Sequence, residues 1–198
     1  IEHETGTRDL RRLSGLGRAM PFTATLAIIA SASMAGVPLL NGFLSKEMFF
    51  EATWLWTNGT ALDNAAPYVA VLAGALAAAY SLRFILEVFF GPPPRDLPRA
   101  PHEPPVMMRL PVLVLVAACL GVGIAPQAML GGWLESAAAA VLGPELPGFS
   151  LKLWHGVTPA LVMSLLAMAL GVLICLLPRR WTGGGARQWA LVRALDFA

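Results

Sequence analysis

A lysine and two glutamates stand close together inside a long apolar stretch of the sequence. Lys46 is followed directly by Glu47 and, one helical turn later, by Glu51. Away from water a lysine gives up its proton more readily, because the ammonium has lost its hydration, and a carboxylate beside it has the opposite effect. Two carboxylates four residues apart share one face of a helix, where their repulsion favours holding a proton between them. These three residues could therefore pass protons if the chain places them in a dry interior.

Ionisable side chains also occur at two other places of interest. Arg83 and Glu87 are four residues apart, and because arginine stays charged at working pH we expect a structural ion pair within a helix rather than a relay. His3 opens a polar stretch and could be a functional or an ordinary surface residue. Arg83, Glu87 and His3 are possible secondary polar residues of a proton path.

The composition indicates a membrane protein. Hydrophobic residues make up 57% of the 198 residues and charged residues 13%, whereas a soluble domain has roughly 45–50% and about 25%. The net charge of +2 is too small to indicate a nucleic-acid partner. Both cysteines, Cys119 and Cys175, lie in apolar runs and predict packing roles. The sequence holds no phosphate-binding loop, no CxxC pair and no triad candidate, so we expect no cofactor and no metal site.

Three apolar runs are long enough to cross a bilayer, which takes about 20 helical residues. They are residues 68–90, 107–128 and 158–177, and the Ala- and Gly-rich part of the first predicts close helix packing. A shorter run, 133–142, predicts an interfacial helix. Together with the stretch 20–57, these runs predict an all-α fold, a polytopic bundle of membrane helices.

The stretch from residue 20 to residue 57 is too long for one regular span. Four residues that disfavour regular helix interrupt it: Gly36, Pro38, Asn41 and Gly42. The stretch is either two ordinary spans or one span broken halfway. The placement of lysine and arginine decides between these alternatives.

The positive-inside rule favours one broken span. Four arginines precede the stretch, three lie in residues 91–109 and four lie in residues 179–198, whereas residues 58–67 and 129–156 together hold one lysine. A single crossing over the stretch puts eleven of these charges on the cytoplasmic side and one outside. Two crossings would divide them five against seven. We therefore predict four crossings, of which the first is discontinuous.

Lys46 and Arg83 are the two basic residues that remain, and the four-crossing arrangement puts both inside the membrane. A charge at the centre of a span costs from roughly 2.5 kcal/mol upward, so such a residue usually faces a wet interior and serves a pathway. A broken helix survives only where protein or water satisfies its freed backbone groups, and transporters place ion sites at such breaks. The alternative is that Lys46 and Glu47 reach an interface and merely anchor the helix.

Several motifs resemble the proton-translocating antiporter family, which includes the A subunit of the Mrp-type multisubunit Na⁺/H⁺ antiporter and the terminal antiporter-like subunit of respiratory complex I. The most specific motif is Pro-Leu-Leu-Asn-Gly-Phe-Leu-Ser-Lys-Glu at residues 38–47. His-Glu-Thr-Gly-Thr-Arg-Asp at 3–9 and Ser-Met-Ala-Gly-Val-Pro at 33–38 fit the same family. Leu-Trp-His-Gly at 153–156 is more similar to the Mrp A subunit than to complex I. The similarity runs over essentially the whole sequence.

The resemblance implies a discontinuous membrane helix with a functional lysine at Lys46 and its neighbouring acid at Glu47. In the family this lysine ends a chain of buried lysines, histidines and glutamates, whose other members would lie outside this sequence. The resemblance also implies that residues 1–106 form the end of an antiporter-like transmembrane domain and that 107–198 hold the following spans and a cytoplasmic tail. Because the sequence begins at Ile1, we expect a piece of a longer protein that does not transport alone.

Three functions of different classes fit the sequence. The first is a secondary transporter subunit that exchanges Na⁺ or K⁺ for protons in the bacterial inner membrane, beside the other subunits of a hetero-oligomeric complex. The second is a proton-pumping subunit of complex I or of a related membrane hydrogenase. The third is a membrane scaffold without an ion path. Lys46 separates the third from the others, because a scaffold does not need a lysine that can release a proton.

The charge distribution predicts the side of the membrane on which each loop lies. Residues 1–19, 91–106 and 179–198 should face the cytoplasm, and residues 58–67 and 129–156 the outside. Single cysteines at Thr60 and Arg99, in a cysteine-free background, are probed with an impermeant thiol reagent on whole cells. We expect Thr60→Cys to be labelled and Arg99→Cys to be protected. The reverse pattern would mean that residues 20–57 cross twice.

Overall fold

The computed structural model of the chain describes residues 1–10, 12–55, 60–94, 97–143 and 156–176. Within these ranges it has seven α-helices and no strand, so the predicted all-α fold is confirmed. The helices are α1 (Glu2–Thr5), α2 (Pro21–Ala35), α3 (Asn41–Leu55), α4 (Ala61–Phe89), α5 (Val106–Ile124), α6 (Pro126–Leu142) and α7 (Pro159–Leu176). The predicted tail at 179–198 and most of the Leu-Trp-His-Gly motif lie outside the described residues.

Among the described residues, three helices are long and apolar enough to cross a membrane, and they correspond to the three predicted spans. They are Asp63–Phe89 within α4, α5 and α7. α4 begins at Ala61, ahead of the predicted start at Tyr68, because Thr60 and Asp63 form a reciprocal cap. The Asp63 N–H donates to Thr60 Oγ1 at 3.3 Å, and the Thr60 N–H donates to Asp63 Oδ2 at 3.4 Å.

The predicted span 107–128 ends earlier than the sequence predicts. α5 stops at Ile124 and α6 starts at Pro126, so the predicted interfacial segment 133–142 is the second part of a longer helix that begins with proline. Ala125 between them has a non-helical backbone, with φ −131° and ψ 62°. The count of four crossings stays a prediction, because α2 has 15 residues and is shorter than a full span.

The long apolar stretch is interrupted between α2 and α3. α2 ends where Gly36 adopts a left-handed backbone with φ 87°, and the N–H groups of Gly36 and Val37 turn back to carbonyls of the last helical turn. Pro38 follows and has no N–H with which to continue the helix. Asn41 and Gly42, which the sequence analysis assigns to the break, lie instead in the first turn of α3.

α4 packs on α7 more extensively than any other pair of described helices does. The two backbones approach closely because small residues face each other. A Cβ added at Gly171 would lie 2.6 Å from Ala78 Cβ and 2.7 Å from the Ala75 carbonyl O, and a Cβ at Gly74 would lie 3.0 Å from Ala167 Cβ. The close packing predicted from the Ala- and Gly-rich run is confirmed.

One aromatic side chain anchors α3 against this helix pair. Phe50 is 1% exposed and packs with buried residues of α4 and α7, namely Ala70, Ala160, Met163 and Ala167. Burying a phenylalanine side chain stabilises a fold by roughly 1.5–3 kcal/mol. Because α3 also contacts α2 and α5, its position is fixed from four sides.

The outer surface of the bundle is apolar. Only 11% of the residues in the α5 span are buried within the structure, and its exposed side chains include Leu113, Val114 and Leu115. An apolar surface of this extent lies in lipid or against other protein.

Gly171→Ala should destabilise the pairing of α4 with α7. The added methyl group would meet backbone and a Cβ atom, which cannot rotate away, so the helices must separate at a cost of about 1–3 kcal/mol. We expect a lower midpoint of thermal unfolding. The measurement is the loss of the helical circular dichroism signal on heating in detergent micelles. Gly132→Ala in α6 is the matched control, because nothing lies within 4 Å of a Cβ at that position. Equal midpoints for the two variants would contradict the close approach.

Candidate functional site

Lys46 binds a backbone carbonyl at the end of α2. The last four carbonyls of a helix have no helical N–H to accept from. The turn at Gly36 satisfies those of Ala32 and Ser33. The carbonyl O of Ala35 accepts a hydrogen bond from Lys46 Nζ at 2.9 Å. The ammonium therefore lies at the negative end of the α2 dipole, where a cation is favoured.

Gly36 leaves room for the lysine to reach this carbonyl. Its left-handed backbone is one that other residues rarely adopt. A Cβ at Gly36 would lie 2.9 Å from Lys46 Cδ and 3.4 Å from Lys46 Nζ. The half-buried lysine side chain thus crosses the glycine directly, and a larger residue there would displace it.

Side chains from α2, α3 and α5 meet at the start of α3. Ser33 Oγ donates to Asn41 Oδ1 at 2.5 Å and accepts from the Gly42 N–H at 3.1 Å. The Cys119 thiol of α5 donates to the same amide oxygen at 2.9 Å. Gly42 packs so closely on Ser33 that a Cβ there would collide with the serine carbonyl O. This cluster, which we call the Ser33 cluster, joins both sides of the break to α5.

Glu47 and Glu51 lie in different environments. Glu47 is 7% exposed, and its Oε1 lies 3.5 Å from the hydroxyl of Thr158, which donates to it. The same hydroxyl caps α7 by accepting the Leu161 N–H at 3.1 Å, so the Glu47 carboxylate lies at the positive end of the α7 dipole. Glu51, one turn further along α3, is exposed. The structure therefore buries one of the two predicted carboxylates and not the other.

Arg83 and Glu87 form the predicted ion pair within α4. Arg83 Nε donates to Glu87 Oε1 at 2.9 Å, and the two side chains are 47% and 33% exposed. The predicted intrahelical pair is confirmed. Because arginine does not release its proton at working pH, the geometry supports a structural role for the pair.

His3 belongs to a second group of ionisable residues, centred on Glu4. The Glu4 carboxylate is 4% exposed and contacts His3 Nδ1 at 2.8 Å and His102 Nδ1 at 2.7 Å. Arg99 also donates to the His3 carbonyl O at 3.0 Å. The hydrogen bond from His3 lowers the pKa of Glu4 by more than burial raises it. These contacts fasten the N-terminal segment to the loop that precedes α5.

The same loop caps α2. Glu103 accepts hydrogen bonds from the Phe22 N–H at 2.6 Å, the Thr23 N–H at 3.2 Å and Thr23 Oγ1 at 2.9 Å. The two N–H groups are orphan donors of a first turn that begins at Pro21 and has no cap of its own. Arg109 Cζ lies 5.0 Å above the Phe22 ring, which adds a cation–π contact to the junction.

Four residues that shape these sites are not among the site residues predicted from the sequence: Ser33, Thr158, Glu4 and Glu103. Two of them had a local signal. Ser33 lies within a motif that the family resemblance rests on, and Thr158 directly precedes Pro159, which is the usual order of an N-cap and a first helical residue. His102, which pairs with Glu4, and the α2 backbone groups that Glu103 caps lie far away along the chain from these glutamates, so no local pattern indicates these contacts.

The Glu4 contacts predict a local loss of structure at low pH. A carboxylate whose pKa is lowered in the folded state stabilises it above the usual value of 4.5, and this stabilisation is lost as the pH falls through the lower folded value. Glu4→Gln should abolish it at all pH values, so residues 1–10 should exchange amide hydrogens faster already at pH 7. Glu2→Gln is the control, because Glu2 is 52% exposed and pairs with Arg8 at the surface. Unchanged exchange in Glu4→Gln would contradict the prediction.

Comparison with known proteins shows what the chain is similar to. Residues 1–65 match the family model described as NADH:quinone oxidoreductase/Mrp antiporter, TM. The probable K⁺/H⁺ antiporter A/B subunit of Rhizobium meliloti (strain 1021) is 55% identical over 181 residues, which are 91% of this chain and 18% of the relative. The Na⁺/H⁺ antiporter A1 subunit of Staphylococcus haemolyticus (strain JCSC1435) is 35% identical over 187 residues, which are 91% of this chain and 23% of the relative.

A solved structure shows the same arrangement of helices. The Mrp complex from Dietzia sp. DQ12-45-1b matches with a TM-score of 0.72 and 29% identity, over 99% of this chain and 21% of that chain. This chain thus spans about a fifth of the length of the relatives it matches. With its apolar helices, it is a multi-pass membrane protein. The predicted resemblance is confirmed: the chain is a homologue of part of the Mrp antiporter A subunit, and its residues 1–65 match the NADH:quinone oxidoreductase/Mrp antiporter transmembrane family model.

Proposed function

We propose that this chain forms part of a membrane subunit of a monovalent cation/proton antiporter and carries part of its proton path. The observation that carries the proposal is the contact of Lys46 Nζ with the Ala35 carbonyl O, 2.9 Å apart, at the break between α2 and α3. A titratable ammonium at a helix break within an apolar bundle is the arrangement that transporters use for ions. The antiporter names of two relatives support the same function.

Lys46 is the residue that gains and loses the proton in this proposal. The carbonyl end of α2 stabilises its ammonium, whereas the loss of hydration destabilises it. Such opposing effects allow small movements of α3 to change which protonation state is favoured. Glu47, the next residue in the chain, is buried and accepts from Thr158, and it is the carboxylate with which Lys46 would exchange protons.

The other predicted residues have lesser parts. Glu51 is exposed on α3 and would deliver protons to Lys46 and Glu47 from a surface that faces water or another subunit. Arg83 and Glu87 would supply a fixed ion pair on α4. His3 contacts Glu4 in the N-terminal segment, and we assign it no step in the path.

We also propose the membrane in which the chain lies, the subunits with which it assembles and the cation that is exchanged. The positive-inside count supports a bacterial inner-membrane protein whose residues 1–19 and 179–198 face the cytoplasm. The Mrp complex to which the fold is similar supports assembly with further subunits in the lipid bilayer. The coupled cation would be K⁺ or Na⁺, since both occur in the names of the relatives.

A second candidate is the proton-pumping antiporter-like subunit of NADH:quinone oxidoreductase. The family model for residues 1–65 covers both kinds of protein, and Lys46 and Glu47 would have the same proton chemistry in either. The antiporter is favoured because the named relatives match 91% of the chain, well beyond residue 65. In membranes that contain the complete complex, NADH-dependent proton uptake would favour the second candidate, and cation-dependent exchange the first.

Replacing Lys46 tests the proposed proton path. Lys46→Ala should remove most cation-coupled proton transport, and Lys46→Arg should not restore it, because arginine can keep the charge and a hydrogen bond but does not release its proton at working pH. The measurement is the dissipation of a pH gradient on addition of Na⁺ or K⁺ to inverted vesicles that hold equal amounts of the complete complex.

Arg83→Lys provides the matched control, because it changes a basic residue of the apolar helix α4 while keeping its charge. We expect exchange close to that of the unmodified complex. If Lys46→Arg also exchanged at a near-normal rate, Lys46 would be a structural cap of α2, and the scaffold function would replace the proposed one.

A further inference from the structure

The Ser33 cluster lies next to the lysine contact along both helices. Ser33 is two residues before Ala35 in the last turn of α2, and Asn41 is five residues before Lys46 in α3. The Ser33 side chain is 7% exposed. It binds the first turn of α3 twice, through Asn41 Oδ1 at 2.5 Å and through the Gly42 N–H at 3.1 Å. One buried hydroxyl therefore joins the two helix ends across which Lys46 reaches.

This junction controls the distance between Lys46 Nζ and the Ala35 carbonyl O. Lys46 lies about 7.5 Å along the helix axis from Asn41, at 1.5 Å per residue, so a shift at the start of α3 is carried rigidly to the lysine. A displacement of about 1 Å would lengthen the 2.9 Å bond from Lys46 Nζ to Ala35 O beyond the roughly 3.5 Å at which a hydrogen bond is lost. The position of α3 against α2 thus decides whether the ammonium keeps its acceptor.

α5 packs against the junction between α2 and α3. The Cys119 thiol binds Asn41 Oδ1 at 2.9 Å, and a Cβ at Gly123 would collide with the Leu39 carbonyl O. The connecting segment between α2 and α3 is therefore pressed against α5. Because one side chain of α5 and one of α2 bind the same amide oxygen, the start of α3 has little freedom to move sideways.

We propose that Ser33 is a positioning residue for Lys46. By holding the first turn of α3 against the last turn of α2, its hydroxyl keeps the Lys46 ammonium on the Ala35 carbonyl. The inference rests on the proposed function, in which Lys46 exchanges a proton at this break. Ser33 itself exchanges no proton and touches no transported ion; it acts through the geometry of the lysine contact.

A merely structural role for Ser33 would have a different signature. If the hydroxyl only capped α3, its loss would reduce the amount of complex or slow exchange by the same factor at every pH. If it positions Lys46, its loss changes how readily the ammonium releases its proton, because a charged donor that loses its acceptor is less stabilised. The pH dependence of exchange therefore distinguishes the two roles.

The test compares Ser33→Ala with Ser31→Ala in the complete complex. Both variants delete one hydroxyl from α2 at equal burial, 7% and 6% exposed, but Ser31 is outside the Ser33 cluster. Cation-driven exchange is measured in inverted vesicles from about pH 6 to about pH 10 at equal complex content. In Ser33→Ala we expect the pH above which exchange declines to be lower by about one unit. A shift of this size corresponds to the loss of one hydrogen bond to a charged group. Ser31→Ala should keep the unmodified profile.

Asn41→Ala is the second variant, and it decides the matter if Ser33→Ala does not assemble. Asn41 is exposed, and its replacement removes the acceptor that Ser33 and Cys119 share, so the same downward shift is expected. If exchange by both variants has the same pH dependence as exchange by the unmodified complex, whatever the rate, the positioning role is overturned. If Lys46→Arg transports normally, the proposed function fails and this inference with it. If Lys46 is required but the Ser33 and Asn41 profiles do not move, only this inference fails.

Discussion

The interruption between α2 and α3 imposes one requirement on its surroundings: the carbonyl groups at the end of α2 need hydrogen-bond donors within an apolar bundle. An unmade backbone hydrogen bond in hydrocarbon costs several kcal/mol. The left-handed turn at Gly36 supplies backbone N–H groups for two carbonyls, and the side chain of Lys46 supplies the donor for Ala35. A charged residue, which is costly in a membrane on its own, is in this way part of the backbone hydrogen bonding of the fold.

That contact depends on how accurately the bundle holds α3. Small residues such as Gly74 and Gly171 let the backbones of α4 and α7 approach closely. Phe50 of α3 packs against both of these helices. On the other side of α3, the Ser33 cluster and α5 fix its first turn. Close packing therefore serves more than stability here. It converts a broken helix, which would otherwise be free to pivot, into a joint with a defined geometry.

Local spacing predicted the features that depend on neighbours in sequence. Arg83 and Glu87 pair because they are one turn apart, and α2 stops because glycine and proline follow it. Contacts between distant segments had no such signal. Asn41, which the sequence predicts at the break, lies in the first turn of α3, where the hydroxyl that it binds comes from α2 and its second donor from α5. Glu47 and Glu51 share a helical face in sequence, but only the packing of α7 determines which one is buried.

Under the proposed function, the same bond serves the fold and the chemistry without conflict. A lysine that has lost its proton is still a hydrogen-bond donor, so the Ala35 carbonyl keeps a partner in both protonation states. What changes is the charge, and with it the attraction between α3 and the negative end of α2. Proton release would therefore weaken the junction electrostatically while leaving its hydrogen bond in place. A residue that could only cap, such as arginine, would hold the joint permanently in its charged form, which is why the acid–base chemistry of lysine, rather than its charge, is what the break requires.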